Sequence, residues 1–247
     1  MFLSLIIPAY NEEKKIPATL ENISKFLAQK EYTYEIIVVN DGSADNTHKV
    51  TEYFASTNKN VSILDNSKNE GKGASLKKGI LASKGEYILF MDADYSTPIE
   101  EIDNMLSLLT QDSRYDFLIG SRYAEGANIL RNEPLFRILL GRIYHYLVKV
   151  LLLGGIRDYN CGFKLYRKNV AKDLFPRLNC KGYAFDAELL YLAKHLSYRY
   201  KEMPITWKHN PDSKVKPFID GVKTFFSLIR IKIDYYRGCY GIDATPR

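Results

Sequence analysis

Five short apolar runs set the rhythm of this chain. Residues Phe2–Pro8, Tyr34–Asn40, Val61–Leu64, Tyr87–Met91 and Tyr115–Gly120 are each four to seven residues long. They are too short for helices and nearly continuous in apolar character, as strands buried on both faces are. Four of them run into a polar or glycine-bearing loop and then a helical pattern. The helical stretches open at Ala9–Glu13 and run to about Gln29, follow Asp41–Thr47, run from Asn69–Gly73 to about Ser83, and span Ile99–Leu109. Strand, loop and helix repeated four times predict an α/β fold: a mostly parallel sheet flanked by helices. In such sheets the loops at the carboxyl ends of the strands share one edge, where ligands bind. Tyr10, Asn11, Glu12, Asp41, Lys72, Asp92 and Asp94 are therefore expected in one cleft.

The rhythm changes after Gly120. Ala124–Asn132 reads as a loop containing Arg131. Pro134–Leu153 reads as an apolar helix broken by Gly154-Gly155. On a helical wheel Arg142, His145 and Lys149 form a basic stripe, with Phe136, Leu140, Ile143, Leu147 and Leu151 opposite. Phe163–Tyr166 is a further strand, and Phe185 opens another helix. Tyr198–Trp207 alternates as a strand interrupted at Pro204, which places it at a sheet edge. A final helix, Phe218–Arg237, carries Phe218, Val222, Phe225, Ile229, Ile233 and Tyr236 on one face, flanked by Lys223, Arg230, Lys232 and Arg237. Segments 134–154 and 217–237 are thus either core-packing helices or helices lying on a membrane surface. No repeat or linker divides residues 1–247, so a single domain is expected.

Composition narrows the classes. With 35 Lys and Arg against 29 Asp and Glu, the formal net charge is +6, which favours an anionic partner: a nucleotide, a phosphate or a membrane surface. The basic residues are dispersed and no nucleic-acid-binding module is present, so no nucleic acid is expected. Three scattered cysteines without a C-x-x-C pair point to a reducing compartment and away from zinc, with Cys161 a small buried hydrophobe. Met1 leads directly into the first run, so no signal peptide is expected. No run of about 18 apolar residues occurs.

The chemistry concentrates at the end of the fourth run, in Met91-Asp92-Ala93-Asp94-Tyr95-Ser96-Thr97-Pro98. Positions i and i+2 of an extended chain share a side, so Asp92 and Asp94 converge on one target. Two hard oxygens suit a divalent cation, Mg²⁺ or Mn²⁺, shared with substrate phosphates. The same residues also read as a strand end with an Asp cap ahead of Pro98. Lys72 stands between Gly71 and Gly73, where small neighbours let backbone approach an anion; Asp41-Gly42-Ser43 reads either as ligand-binding or as a turn with a helix cap. No Gly-x-Gly-x-x-Gly follows the first run and no Walker A motif occurs, which disfavours a dinucleotide fold and a P-loop enzyme. Asp186 and Glu188 diverge by about 200° on a helix and so have different tasks.

Taken together, IPAYNEE (Ile7–Glu13), VVNDGSADNT (Val38–Thr47), NEGKG (Asn69–Gly73) and MDADYSTP (Met91–Pro98) resemble the glycosyltransferases of family 2, which have the GT-A fold. The resemblance covers nearly the whole chain. In the second half, GSR (Gly120–Arg122), IRDYNCGFKLY (Ile156–Tyr166), YAFDAELLY (Tyr183–Tyr191) and the DSKVKP loop (Asp212–Pro217) are similar to the dolichyl-phosphate β-glucosyltransferase group of that family. The resemblance implies an inverting transfer of a hexose, glucose from UDP-glucose, to a polyprenyl phosphate. It implies that Pro8, Tyr10, Glu12 and Asp41 hold the nucleoside, with Lys72 and Gly73 in the same pocket. Asp92 and Asp94 would hold the metal on the diphosphate. Arg122, Arg131 and Lys214 would grip the acceptor phosphate, and Asp186 would lie near the acceptor as a possible base. Since a phosphate nucleophile is already anionic, a strong base is optional. GDP-mannose, UDP-N-acetylglucosamine, a polysaccharide or protein hydroxyl acceptor, and a non-catalytic binding adaptor are the alternatives. Members of the group commonly carry membrane anchors; this sequence shows none, which shifts membrane attachment to the two amphipathic helices and implies peripheral association with the cytoplasmic face of a membrane. Ser96 stands where related mannosyl-transferring enzymes carry Gln.

Overall fold

The structure, a computed structural model, describes residues 1–131, 134–211 and 217–242, and for Arg137 and residues 217–220 the backbone alone. Its core is a seven-stranded sheet of order β3-β2-β1-β4-β7-β5-β8. The parallel block comprises β1 (Leu3–Ala9), β2 (Tyr34–Asn40), β3 (Val61–Asp65) and β4 (Tyr87–Met91). As the apolar runs predict, these strands are linked by crossover helices: α1 (Ile16–Leu27), α2 (Thr47–Thr57) and α3 (Lys72–Ala82). Helix α4 (Glu101–Gln111) leads to β5 (Phe117–Ser121).

The fifth run does not lie beside the fourth. Strand β7 (Phe163–Arg167) inserts antiparallel between β4 and β5, pairing Phe90 with Lys164 on one side and Ile119 with Lys164 on the other. The outer edge is β8 (Tyr200–Pro204), parallel to β5, where Pro204 ends the ladder because it has no N–H to donate. The segment expected to be a loop holds a short strand, β6 (Asn128–Arg131), paired with β9 (Thr206–Lys208). Four residues with two apolar positions are too few to show a period, and the pairing depends on a partner about 80 residues away. Helix α6 (Lys168–Arg177) follows β7 directly, in a stretch the sequence left unassigned.

The period of two sorts strand residues onto two cores. Leu3, Leu5, Ile7, Leu89, Met91, Phe163 and Leu165 pack with α1 and α4. Ile6, Ile88, Phe90, Phe117 and Tyr166 pack with α3, α6 and α7 (Phe185–His195). Helix α7 is buried around most of its surface, as a helix apolar on nearly all sides must be. The last two long helices, α5 (Leu135–Leu151) and α8 (Pro217–Tyr236), pack against one another at the margin of the second core.

Helix α5 turns Tyr144, Leu147, Val148 and Leu151 inward, with His145 ring to ring against Tyr159 at 5.0 Å. His145 thus leaves the basic stripe, and Arg142 and Lys149 stand exposed beside Leu139, Ile143, Tyr146 and Val150. On α8, Leu228, Ile231 and Tyr235 are buried while Val222, Phe225, Phe226, Ile233 and Tyr236 remain exposed. Among the described residues no helix is long and apolar enough to cross a membrane.

Candidate active site

The carboxyl ends of β1, β2 and β4 open onto a cleft of about 440 Å³. Pro8, Tyr10, Glu12, Asp41, Lys72, Asp92 and Asp94 all line it, together with Lys15, which sequence reasoning passed over. Asn11 does not. It has a left-handed backbone (φ 54°), and its Oδ1 accepts from the Ala44 amide at 2.8 Å, tying the first loop to the second. The far wall comes from the turn before α7 (Gly182, Tyr183, Ala184) and from Lys223, Thr224 and Ser227 of α8.

Strand β4 delivers the acid pair. The Asp92 carboxylate accepts from Lys72 Nζ at 2.5 Å, and its main-chain N–H donates to Gly162 O at 3.1 Å. A Cβ on Gly162 would lie 2.1 Å from Asp92 Oδ2, so that glycine leaves the seat in which the carboxylate rests. Asp94 Oδ1 accepts from the Ser96 amide at 3.0 Å, a turn that also starts the entry to α4. Burial and the negative Asp92 push the Asp94 carboxyl above its ordinary value, against the hydrogen bonds from Ser96. Burial works against the Lys72 ammonium, yet Asp92 and Asp186 carry its pKa above the usual lysine range.

Asp41 is buried and heavily engaged. Its carboxylate accepts from Asn66 Nδ2 at 2.8 Å, Glu70 N at 2.9 Å and Gly71 N at 2.8 Å, and so ties the 66–71 loop to the end of β2. Two backbone donors and an amide take up three of the roughly four accepting positions of the carboxylate, which still lines the cleft. The glycines flanking Lys72 serve the chain itself. Gly71 has φ 103°, and a Cβ there would lie 2.4 Å from Lys181 O; a Cβ on Gly73 would lie 2.5 Å from Cys180 O. The Gly73 amide donates to Lys181 O at 2.8 Å. Gly73 therefore faces the turn before α7, and the anion approach expected there is replaced by a close approach of the protein's own carbonyls.

Asp186 and Glu188 diverge as the helical spacing requires. Asp186 meets the ammonium of Lys164, a residue of β7 that also donates to Tyr159 O at 2.9 Å. Burial raises the Asp186 carboxyl, and Lys164 and Lys72 oppose that rise. Glu188 accepts from Tyr240 Oη at 2.6 Å and Cys180 N at 2.7 Å, pinning the end of the described chain to α7.

The acceptor residues implied by resemblance are dispersed. The Arg122 guanidinium is engaged by Asp158, with Nε to Oδ2 at 2.8 Å and Nη2 to Oδ1 at 2.9 Å, beneath the Trp207 ring. This bidentate partner, which the sequence did not reveal, occupies the fork a phosphate would need. Arg131 lies exposed on β6, its carbonyl accepting from His209 N. Neither arginine lines the cleft, and Lys214 lies outside the described residues. Cys161 is buried, and burial pushes its thiol up, as an inert core position demands.

With this geometry established, comparison with known proteins decides the family. Residues 4–175 match the model of glycosyl transferase family 2.

The chain belongs to glycosyl transferase family 2.

Among relatives within that family, it is 34% identical to a dolichyl-phosphate beta-glucosyltransferase of Dictyostelium discoideum, over 99% of this chain and 78% of that one. It is 33% identical to the Homo sapiens protein of the same name, over 99% and 79% respectively. The fold is shared with solved structures of much lower sequence identity. Glucosyl-3-phosphoglycerate synthase from Mycobacterium tuberculosis, solved with Mn²⁺, UDP and phosphoglyceric acid, superposes with a TM-score of 0.71 at 17% identity, covering 99% of this chain and 80% of that one. Mannosyl-3-phosphoglycerate synthase from Rubrobacter xylanophilus superposes at 0.68 and 14% identity, covering 100% and 77%.

Proposed function

We propose that this family 2 member is an inverting, metal-dependent hexosyltransferase that moves glucose from UDP-glucose to a polyprenyl phosphate at the cytoplasmic face of a membrane. One observation carries the reading. The cleft holding Asp92, Asp94 and Lys72 shares a wall with α8, whose Lys223, Thr224 and Ser227 face the cleft while Val222, Phe225 and Phe226 are exposed. An acceptor with a charged head and an apolar tail matches that juxtaposition: head in the cleft, tail along the helix. The name shared by the curated relatives supports both the sugar and the acceptor.

The residues fit a divalent cation, Mg²⁺ or Mn²⁺. Asp92 and Asp94 both line the cleft, and burial together with the charge of Asp92 destabilises the Asp94 carboxylate as an anion. Two carboxylates suit an ion whose remaining positions go to substrate phosphates and water. When bound, such an ion supplies neutralisation of the charge that grows on the departing diphosphate.

The chain's own residues do the rest. Lys72, fixed by Asp92 at 2.5 Å, supplies a point charge beside the diphosphate. Pro8, Tyr10 and Glu12 wall the nucleoside end, and Asp41 acts there by holding the 66–71 loop. A phosphate nucleophile arrives already ionised, so orientation in line with the anomeric carbon counts for more than proton removal. The acceptor-phosphate role passes from Arg122, which is committed to Asp158, to basic groups at the α8 wall such as Lys223.

Incubation with radiolabelled UDP-glucose, a polyprenyl phosphate and Mn²⁺ or Mg²⁺ tests this directly. Label is expected to enter the organic phase, and only with metal. Transfer from GDP-mannose or UDP-N-acetylglucosamine instead would correct the donor, and no transfer from any of them would overturn the reading.

A further inference from the structure

Lys164 is a lysine with its side chain 1% exposed, on an interior strand of the seven-stranded sheet. The alternation of β7 puts it on the same face as Tyr166, its ammonium 5.5 Å from the centre of the Phe90 ring. A charge placed there is costly unless it is paired and hydrogen-bonded. Its partner is Asp186, 3% exposed and absent from the cleft lining. Lys72, over the ring of the neighbouring Phe185, is close enough for the Asp186 charge to act on it through space; it pairs directly with Asp92, and Asp94 follows two residues on. The result is a row of alternating charge from the core to the cleft: Lys164, Asp186, Lys72, Asp92, with Asp94 at its end. Within the row two ammoniums face three carboxylates, and the row ends on Asp94 at the mouth, where Lys15 also lines the cleft. Lys72 is also placed over the Phe185 ring at 5.7 Å, which brings α7 and the cleft lysine together at the same point.

Resting on the donor site proposed above, we propose that Lys164 is a positioning residue for donor binding: it fixes Asp186 as a buried anion, and Asp186 holds the Lys72 ammonium against Asp92, so that the acid pair meets cation and diphosphate in one arrangement. Asp186 on this account acts through Lys72 and not on the acceptor. Its burial behind Lys72, with one oxygen given to Lys164, leaves it poorly placed to take a proton from a group in the cleft.

The test compares the unaltered chain with Lys164→Met, Asp186→Asn and the double variant. UDP affinity in saturating Mn²⁺ is measured by calorimetry, alongside melting temperature, kcat and KM for UDP-glucose. Lys164→Met alone strands a buried carboxylate, so it is expected to lower the melting temperature, and the neutral pair in the double variant should regain most of that loss. Mn²⁺-dependent UDP affinity should nevertheless stay about tenfold weaker in both Asp186→Asn and the double variant, as expected when one buried charge acting on Lys72 through space is removed. Unchanged UDP affinity in the double variant, with melting temperature alone affected, would reduce the pair to a structural one and overturn the inference. A collapse of kcat at unchanged UDP affinity in Asp186→Asn would overturn it in favour of a base. Failure of the unaltered protein to bind UDP with Mn²⁺ would refute the donor site itself, a result distinct from either.

Discussion

Gly162 offers the sharpest handle on the site because it touches the chemistry without carrying any. Replacing it with Ala adds one methyl whose carbon would lie 2.1 Å from Asp92 Oδ2, 2.3 Å from Cγ and 2.6 Å from Oδ1. Ordinary contact begins near 3.4 Å, so the carboxylate must retreat by more than 1 Å. The backbone is held against this, because Asp92 N is bonded to Gly162 O at 3.1 Å immediately beyond the β4–β7 ladder. The side chain must swing, and the 2.5 Å ion pair with Lys72 goes with it. Stability should change little. Crowding costs on the order of 1–3 kcal/mol, while Gly→Ala at a position outside the left-handed region gives back about 0.4–1 kcal/mol through the unfolded chain. Function should change far more, since a displacement of about 1 Å at a reacting centre can cost roughly 100-fold. Gly162→Ala is therefore expected to melt within a few degrees of the unaltered protein, to bind UDP in Mn²⁺ at least about tenfold more weakly, and to transfer glucose about 100-fold more slowly. Calorimetric titration, thermal melting and the organic-extraction assay read these in turn. Full turnover with unchanged UDP affinity would mean that the orientation of Asp92 does not matter, and the metal assignment would fall.

Two further outcomes follow from the same geometry. The Asp94 carboxyl is raised by burial and by Asp92, so the folded state holds its proton more tightly than the unfolded chain; its contribution to stability is present at low pH and is lost as pH rises above the unfolded value of 3.8. Asp94→Asn should therefore raise the melting temperature of the metal-free protein at neutral pH and abolish the rise that Mn²⁺ gives, and a metal-induced rise that survives would exclude Asp94 as a ligand. The exposed apolar faces of α5 and α8 predict co-sedimentation with vesicles containing anionic lipid, weakened by salt and lost in Leu139→Asp/Ile143→Asp; a protein that stays in the supernatant at low salt would make both faces something other than a lipid contact.

Where sequence and structure part company, the reason is the range of the interaction. Asp92 and Asp94 were legible as a pair because their relation is local, two residues at the end of an apolar run; the strand itself stops at Met91, so a turn, and not strand alternation, carries Asp94 to the cleft. The gathering of Tyr10, Glu12, Asp41 and Lys72 at one edge was legible because strand–helix repeats impose a parallel sheet, and a parallel sheet has one edge for its loops. Helix α6 left a signal in Val170, Ala171, Leu174 and Phe175, which bury one face, although Pro176 and the charged residues between them blur it. The insertion of β7 left none. A five-residue strand pattern states that it is a strand and not which neighbours it will find.

The partners of charged groups were likewise hidden. Nothing in the spacing of Arg122 and Asp158, or of Lys164 and Asp186, marks them as pairs, since each is joined across the sheet by the placement of β7 and the turns around it. The sequence by itself determined the kinds of element, the edge on which the loops gather and the acid pair at its centre, because those follow from periods of two and 3.6 residues, or from adjacency, along one stretch of chain. Only the tertiary structure decided which cation each carboxylate answers to, for the energy of a buried charge is set by whichever group folding brings within a few ångströms of it.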